Sequence, residues 1–369
     1  MKKKLLISVI SAAFAAPALA DNLNVTFYGQ AHLAYDHYSG DPATTAAGSK
    51  NGGAFAPGAS RFGVKGTEEI ADGLKGFYQF ETAVNLDGSS ALFGAQRDSF
   101  IGLEGSYGKV FAGRLPLANQ YANDANFFGG KIGDAGNFTG ANGISSRINH
   151  AVAYATPKFS GFSGLVAYVP NTNLGAADST STSTVTTAPG NVTTTTTSNE
   201  KAANKAASYT LRGDYAEGQL KAGVSYQSLK TDSTKAAATI LAFSAGYDFG
   251  IAKVAAQYVS NKSIGQVAGA DQGIVAVGGS FSLSEADIVS VQLVKAGQKG
   301  GAANTGATGI TLGYDHAWSK RTTVYAAYAK VSNDSAAKFS ATGYAHGGVG
   351  APANGEDPSV FSAGVIHNF

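Results

Sequence analysis

The stretch Ser359 to Phe369 puts Phe361, Ala363, Val365 and Phe369 on one face of an extended chain and Ser362, Gly364 and Asn368 on the other. The same period of two runs near the start, where Val25, Phe27, Gly29, Ala31, Leu33 and Tyr35 alternate with Thr26, Tyr28, Gln30, His32 and Asp36. Strict alternation over that length does not fit a helix, whose apolar positions recur every three or four residues. Tyr209, Leu211 and Tyr215 repeat the pattern, and so do Leu220, Ala222, Val224 and Tyr226, with only Ala216-Glu217-Gly218-Gln219 as a turn between them. Further on, Ile310, Leu312, Tyr314 and Trp318 oppose Gly309, Thr311, Gly313 and Asp315. The spacing predicts about sixteen two-faced strands at roughly 22 residues per strand with its connection, and fourteen or eighteen fit the same pattern.

Connections alternate in length. Short ones fall near Glu69 to Gly73, Ser106 to Gly108, Ala216 to Gln219, Gly250 to Ile251, Leu283 to Asp287 and Ser319 to Arg321. Long ones fall near Ser39 to Ala59, Leu115 to Ser146, Asn171 to Ala207 and Asp334 to Pro358. Short turns at one rim and long loops at the other predict an all-β fold, a transmembrane antiparallel β-barrel whose outside is lipid. Asp178 to Ser198 is nearly all Ser and Thr, too polar to pack, and reads as a mobile surface loop within 171–207.

Composition narrows the class. No apolar stretch beyond the leader approaches the ~18 residues of a spanning helix, which excludes a helical membrane protein. The 48 glycines, 20 Phe and 17 Tyr against 9 Pro suit many strands and tight turns. Lys2 to Lys4, the apolar run Leu5 to Phe14 and Ala18-Leu19-Ala20 form a charged region, a hydrophobic region and a cleavage site, so residues 1–20 read as a signal peptide and 21–369 as the mature barrel. Removing those lysines from 27 basic residues leaves the mature chain slightly acidic against 25 Asp and Glu, which gives a nucleic-acid partner no support. With no cysteine, a disulfide-stapled scaffold is excluded.

Enzyme signatures are weak. The six histidines have no His-Glu-x-x-His or paired metal spacing, no nucleophile elbow is complete, and Phe128-Gly129-Gly130-Lys131-Ile132 lacks the Ser/Thr and the spacing of a phosphate loop. The reading is therefore no enzyme, no cofactor and no metal. Chemistry would instead lie in the lumen. The loop Leu115 to Ser146 carries Asp124, Phe127, Phe128, Lys131 and Asp134, and the two aromatics could anchor it to a wall. Acids on such a loop facing arginines on the wall would form an ion filter of side-chain charges.

The arginines are chosen by face. In Arg61 to Thr67, Phe62 and Val64 take the lipid face and leave Arg61, Gly63, Lys65 and Thr67 inward. In Lys109 to Arg114, Phe111 is expected outward with Lys109 and Gly113, and Arg114 inward; in Arg147 to Tyr154, Arg147 and Asn149 face inward. An arginine facing lipid at mid-depth would cost about 2–4 kcal/mol, so Arg61, Arg114 and Arg147 belong in the lumen or at a rim. Singly, each is as well explained by snorkelling to headgroups or pairing with a loop acid. Arg97 shares parity with Ile101 and Leu103, which points it outward and ranks it below the others. Phe77 and Tyr28 are inward aromatics, with no longer run of them.

Several blocks resemble the general bacterial porins, those of β-proteobacteria in particular: Val25 to Gly29, Ser60 to Glu68, Gly73 to Glu81, then Arg97 to Gly105 with Gly108 to Arg114 as a fourth, and the closing His367-Asn368-Phe369. The likeness runs over essentially the whole mature chain, and its second and fourth blocks are the specific ones. The resemblance implies a sixteen-stranded water-filled barrel, a homotrimer, and a third extracellular loop folded inward, whose place 115–146 occupies. The family's arginine cluster maps onto Arg61, Arg114 and Arg147, while its loop acids have no clear counterparts here beyond Asp124 and Asp134. Phe369 looks like the family's signal to the outer-membrane assembly machinery, and outer-membrane lipid and lipopolysaccharide would be the surroundings.

The reading is thus a passive outer-membrane channel for ions and small hydrophilic solutes, weakly anion-selective, with a pore constriction of Arg61, Arg114, Arg147, Lys65, Lys131, Asp124 and Asp134. Its rivals are a substrate-specific channel with a site for a sugar or carboxylate, marked by an aromatic track, and a structural or adhesive barrel, marked by the Ser/Thr-rich loop. An outer-membrane lipase comes third, since no nucleophile and base pair supports it.

Overall fold

The computed structural model describes residues 24–40, 52–88, 90–116, 125–139, 147–170, 180–181, 198–199, 206–230, 234–342, 346 and 352–369. The signal peptide 1–20, Asp124 and, apart from a two-residue ladder of Thr180–Ser181 with Ser198–Asn199, the Ser/Thr-rich segment 178–198 lie outside them.

Alternation becomes one continuous sheet. Its strands are β1 (Asn24–Ser39), β2 (Gly52–Ala56 and Arg61–Ala71), β3 (Leu74–Val84), β4 (Phe93–Gln96 and Ser99–Gly105), β5 (Gly108–Pro116), β6 (Arg147–Ala155), β7 (Phe162–Val169) and β8 (Ser208–Glu217). They continue as β9 (Leu220–Leu229), β10 (Ala238–Asp248), β11 (Ala252–Lys262), β12 (Gln272–Ser282), β13 (Asp287–Ala296), β14 (Ala307–Ala317), β15 (Thr322–Asn333) and β16 (Ser359–Asn368). Each pairs antiparallel with its neighbours in sequence, and β1 pairs with β16 from Gln30↔Asn368 to Ser39↔Ser359. The result is a closed barrel of 16 strands, with no unpaired edge between first and last.

Two strands are interrupted. β2 skips residues 57–60 between its two segments, which pair with the upper and lower halves of β1, and β4 skips Arg97 and Asp98. Both interruptions lie beside the site described below.

The barrel is apolar outside. Phe27, Phe80, Ile101, Val152, Leu293, Ile310 and Leu312 stand exposed on its exterior, where hydrocarbon would solvate them. Aromatic pairs flank this band toward the short-turn rim, with Phe162 on Tyr215 and Tyr247 on Phe249 at 4.7 and 4.6 Å between ring centroids, and Trp318 is exposed there as well. Tyr168, Tyr209, Tyr258 and Tyr328 stand toward the other rim, completing the two girdles of a barrel set in lipid. Among the described residues no helix is long and apolar enough to cross a membrane. The opposite face of β1, β10 and β12 to β15 is buried not by a second sheet but by chain inside the barrel. Residues 125–139, ending in the helical turn Gly136–Thr139, form its centre with Phe128, Ile132 and Phe138.

Candidate functional site

The first interruption is built around His32. Ser60 Oγ accepts from the His32 amide at 2.8 Å and donates to the His32 carbonyl at 2.9 Å, while the Ala59 amide donates to His32 Nδ1 at 3.1 Å. Gly58, at φ +55°, leaves the room that the imidazole fills. β2 resumes at Arg61 with its guanidinium over the lumen, where Nη1 donates to Gln30 Oε1 at 3.1 Å and to the Ala59 carbonyl at 3.3 Å. Lys65, two pleats along, holds its ammonium 5.1 Å from the Tyr28 ring centroid.

A carboxylate sits among the cations. Glu81 of β3, only 9% exposed, accepts from the Tyr28 hydroxyl at 3.0 Å, lies 4.0 Å from Arg61 Nε and forms a salt bridge with Arg97. Asp98, the next residue, takes Arg147 Nε of β6 at 2.5 Å. Arg114 of β5 donates to the Gln96 carbonyl at 3.0 Å and to Asn149 Oδ1 at 2.5 Å. Arg61 interacts electrostatically with Arg97 and Arg147, and Arg114 with Arg147, so the four guanidiniums form one positive wall over β2 to β6. Glu81 and Asp98 temper that charge.

Residues 125–139 lie against the other side of the lumen. Gly133 donates to the Ala341 carbonyl and accepts from Gln292 Nε2, both at 2.8 Å, and the Phe127 amide donates to Gln292 Oε1 at 2.9 Å. Three rings rest on three strand glycines: Phe127 on Gly278, Phe138 on Gly309 and Phe128 on Gly313. A methyl group at Gly278 or Gly313 would come within 2.5 Å of the ring above it, so only glycine leaves this seat open. The segment thus clings to β12, β13 and β14, about half a turn of the barrel from β2 to β6 in strand order.

The loop's described charged residues, Lys131 and Asp134, hold it in place. Lys131 pairs with Asp315 of β14, and its ammonium lies 4.6 Å from the Tyr325 ring centroid. Asp134 accepts from Asn126 Nδ2 at 2.6 Å and from the amides of Gly130 and Gly136 at 2.8 and 2.7 Å. It therefore braces the loop's own backbone, not the arginine wall.

The structure brings Arg61, Arg114 and Arg147 together, adds Arg97 to them, and keeps Lys65 nearby. Two parity readings are corrected. Arg97 turns inward because the interruption at Arg97 and Asp98 lets consecutive residues reach the same face, which unbroken alternation forbids. Phe111 also faces the lumen, in a row with Phe77 and Gly102, while Val110 and Val152 take the lipid side. Arg114 escapes the resulting alternation through a register shift between Gly113, at φ +147°, and Leu115. Glu81 and Asp98 went unnoticed in the sequence, where only their strands' lumen parity could have marked them.

Comparison with known proteins agrees with this architecture. The family model for Gram-negative porins matches residues 7–336. The major outer membrane protein P.IB of Neisseria gonorrhoeae is 35% identical over 184 residues, 47% of this chain and 50% of that protein, and its counterpart in Neisseria lactamica is 34% identical over 179 residues. The chain thus spans about half the length of the curated relatives it matches. Among solved structures, an anion-selective porin from Comamonas acidovorans superposes with a TM-score of 0.72 over 94% of this chain and 100% of that one, at 24% identity. OmpT of Vibrio cholerae in its trimer form gives 0.61 over 95% and 100%, at 16% identity. The chain belongs to the Gram-negative porin family, and its barrel is one of the bacterial outer membrane.

Proposed function

We propose that this protein is a passive outer-membrane diffusion channel for ions and small hydrophilic solutes with a weak preference for anions. The observation that carries the reading is the wall of Arg61, Arg97, Arg114 and Arg147 facing residues 125–139, which enter the lumen from the opposite side. Such a field acts over about a Debye length, ~8 Å at physiological salt, so it biases every ion in a narrow passage without holding any one tightly. Two acids inside the wall keep that preference modest. The functional unit is a homotrimer, a reading supported by the family and by the trimer form of a structural neighbour.

Single-channel recording in a planar bilayer under a KCl gradient tests this. Large, near-ohmic steps that close in threes and a reversal potential on the chloride side are expected. Replacing Arg61, Arg97 and Arg147 together with serine moves that potential toward potassium. Folded protein that inserts and passes no current would overturn the channel, and an unmoved potential would overturn the constriction.

A further inference from the structure

The lumen face of a porin-like barrel is ordinarily polar. Here Phe77 of β3, Phe100 of β4 and Phe111 of β5 stand together on it, half-buried, with ring centroids 6.1 Å apart for Phe77 with each of the others and 5.4 Å for Phe100 with Phe111. Gly102, between Phe77 and Phe111 in the pairing, lets the rings close up, since a methyl there would fall 2.5 Å from Phe111 Cβ and 2.7 Å from Phe77 Cζ. Lys109 covers one side of Phe77 at 5.5 Å from its centroid, held by Glu104 at 2.9 Å. The patch borders the arginine wall directly. Phe100 follows Asp98 by two residues, so their backbones are at most about 7 Å apart, and Asp98 holds Arg147.

We propose that Phe77, Phe100 and Phe111 with Arg97 and Arg147 form a solute-binding subsite for small aromatic carboxylates. The ring would stack in the phenylalanine patch while the carboxylate takes the guanidiniums from Glu81 and Asp98. Inorganic anions would use only the arginines, and uncharged aromatics only the patch. This deepens the channel reading and rests on it, so binding is measured without conduction. Calorimetric titration of the purified, detergent-solubilised trimer with 3-phenylpropionate and with propionate should give affinity for the first about tenfold higher. The double variant Phe77→Ser, Phe111→Ser should erase that difference while leaving the KCl conductance and the thermal transition of the wild type. If the double variant unfolds, Phe100→Leu, which keeps apolar bulk but removes the ring, should still lower the preference severalfold. Equal affinity for the two acids, or a preference that survives both variants, overturns the subsite. A channel that conducts KCl normally in that case leaves the general reading standing.

Discussion

Charge at the arginine wall is decided residue by residue. Arg97 and Arg147 each have a carboxylate partner, in Glu81 and Asp98, and Arg61 shares Glu81 at 4.0 Å. Arg114 meets neutral acceptors, the Gln96 carbonyl and Asn149. Removing a carboxylate is therefore expected to sharpen the anion preference more cleanly than adding a cation. Glu81→Gln keeps the acceptor for Tyr28 and deletes the charge. Its reversal potential should move further to the chloride side, by on the order of a twofold change in permeability ratio, about 0.4 kcal/mol. Bilayer recording under a KCl gradient checks this, and a shift toward potassium would contradict the assignment of Glu81 to the ion path.

Elements are positioned by the places where regular pairing stops. Gly113 adopts φ +147° with Ser99's carbonyl against the side where a Cβ would project, so Gly113→Ala adds both strain and a backbone clash. The variant should lose about 1–3 kcal/mol, read as a lower temperature for the gel shift between unboiled and unfolded protein. The inward segment depends on its glycine seats in the same way. Gly313→Leu fills the space under Phe128, which is expected to cost about 1–3 kcal/mol and to change single-channel conductance, because the segment must lift from β14. An isosteric change on the lipid face, such as Leu312→Ile, should leave conductance unaltered.

At the scale of the molecule, closure lies between β1 and β16. Gly29 and Phe369 exchange backbone bonds, Gly29 N–H to the Phe369 carbonyl at 3.0 Å and Phe369 N–H to the Gly29 carbonyl at 3.2 Å, and the Phe369 ring lies over Gly29 where a side chain would stand. Phe369→Ala keeps the backbone bonds and removes that cover. With half of the ring's surface already exposed, the expected loss is about 1 kcal/mol of stability. Refolding in detergent should be nearly normal, while the amount reaching the outer membrane falls if the residue is also read during assembly; fractionated cells and refolded protein compared side by side separate the two.

The alternation of Phe27, Ala31 and Leu33 with Tyr28, His32 and Asp36, repeated to Phe361 and Ser362, by itself determined a barrel with lipid outside. Neighbouring side chains that need opposite solvents leave a strand no other arrangement. The length of the connections determined the two rims, and the cost of a guanidinium in hydrocarbon put Arg61 and Arg147 on the lumen side. What alternation could not carry is anything beyond a break in it. Parity survives only while pairing is unbroken, and the interruption at Arg97 and Asp98 and the register shift after Gly113 arise from contacts with Glu81, Ser99 and β6, distant in the chain. For the same reason Arg97 and Phe111 point opposite to their apparent parity, and Asp134 and Lys131 serve the loop's own backbone and Asp315 instead of confronting the arginines. Which face a residue takes is a local property of a pleated strand; which charge it meets across the lumen was decided only when the barrel closed.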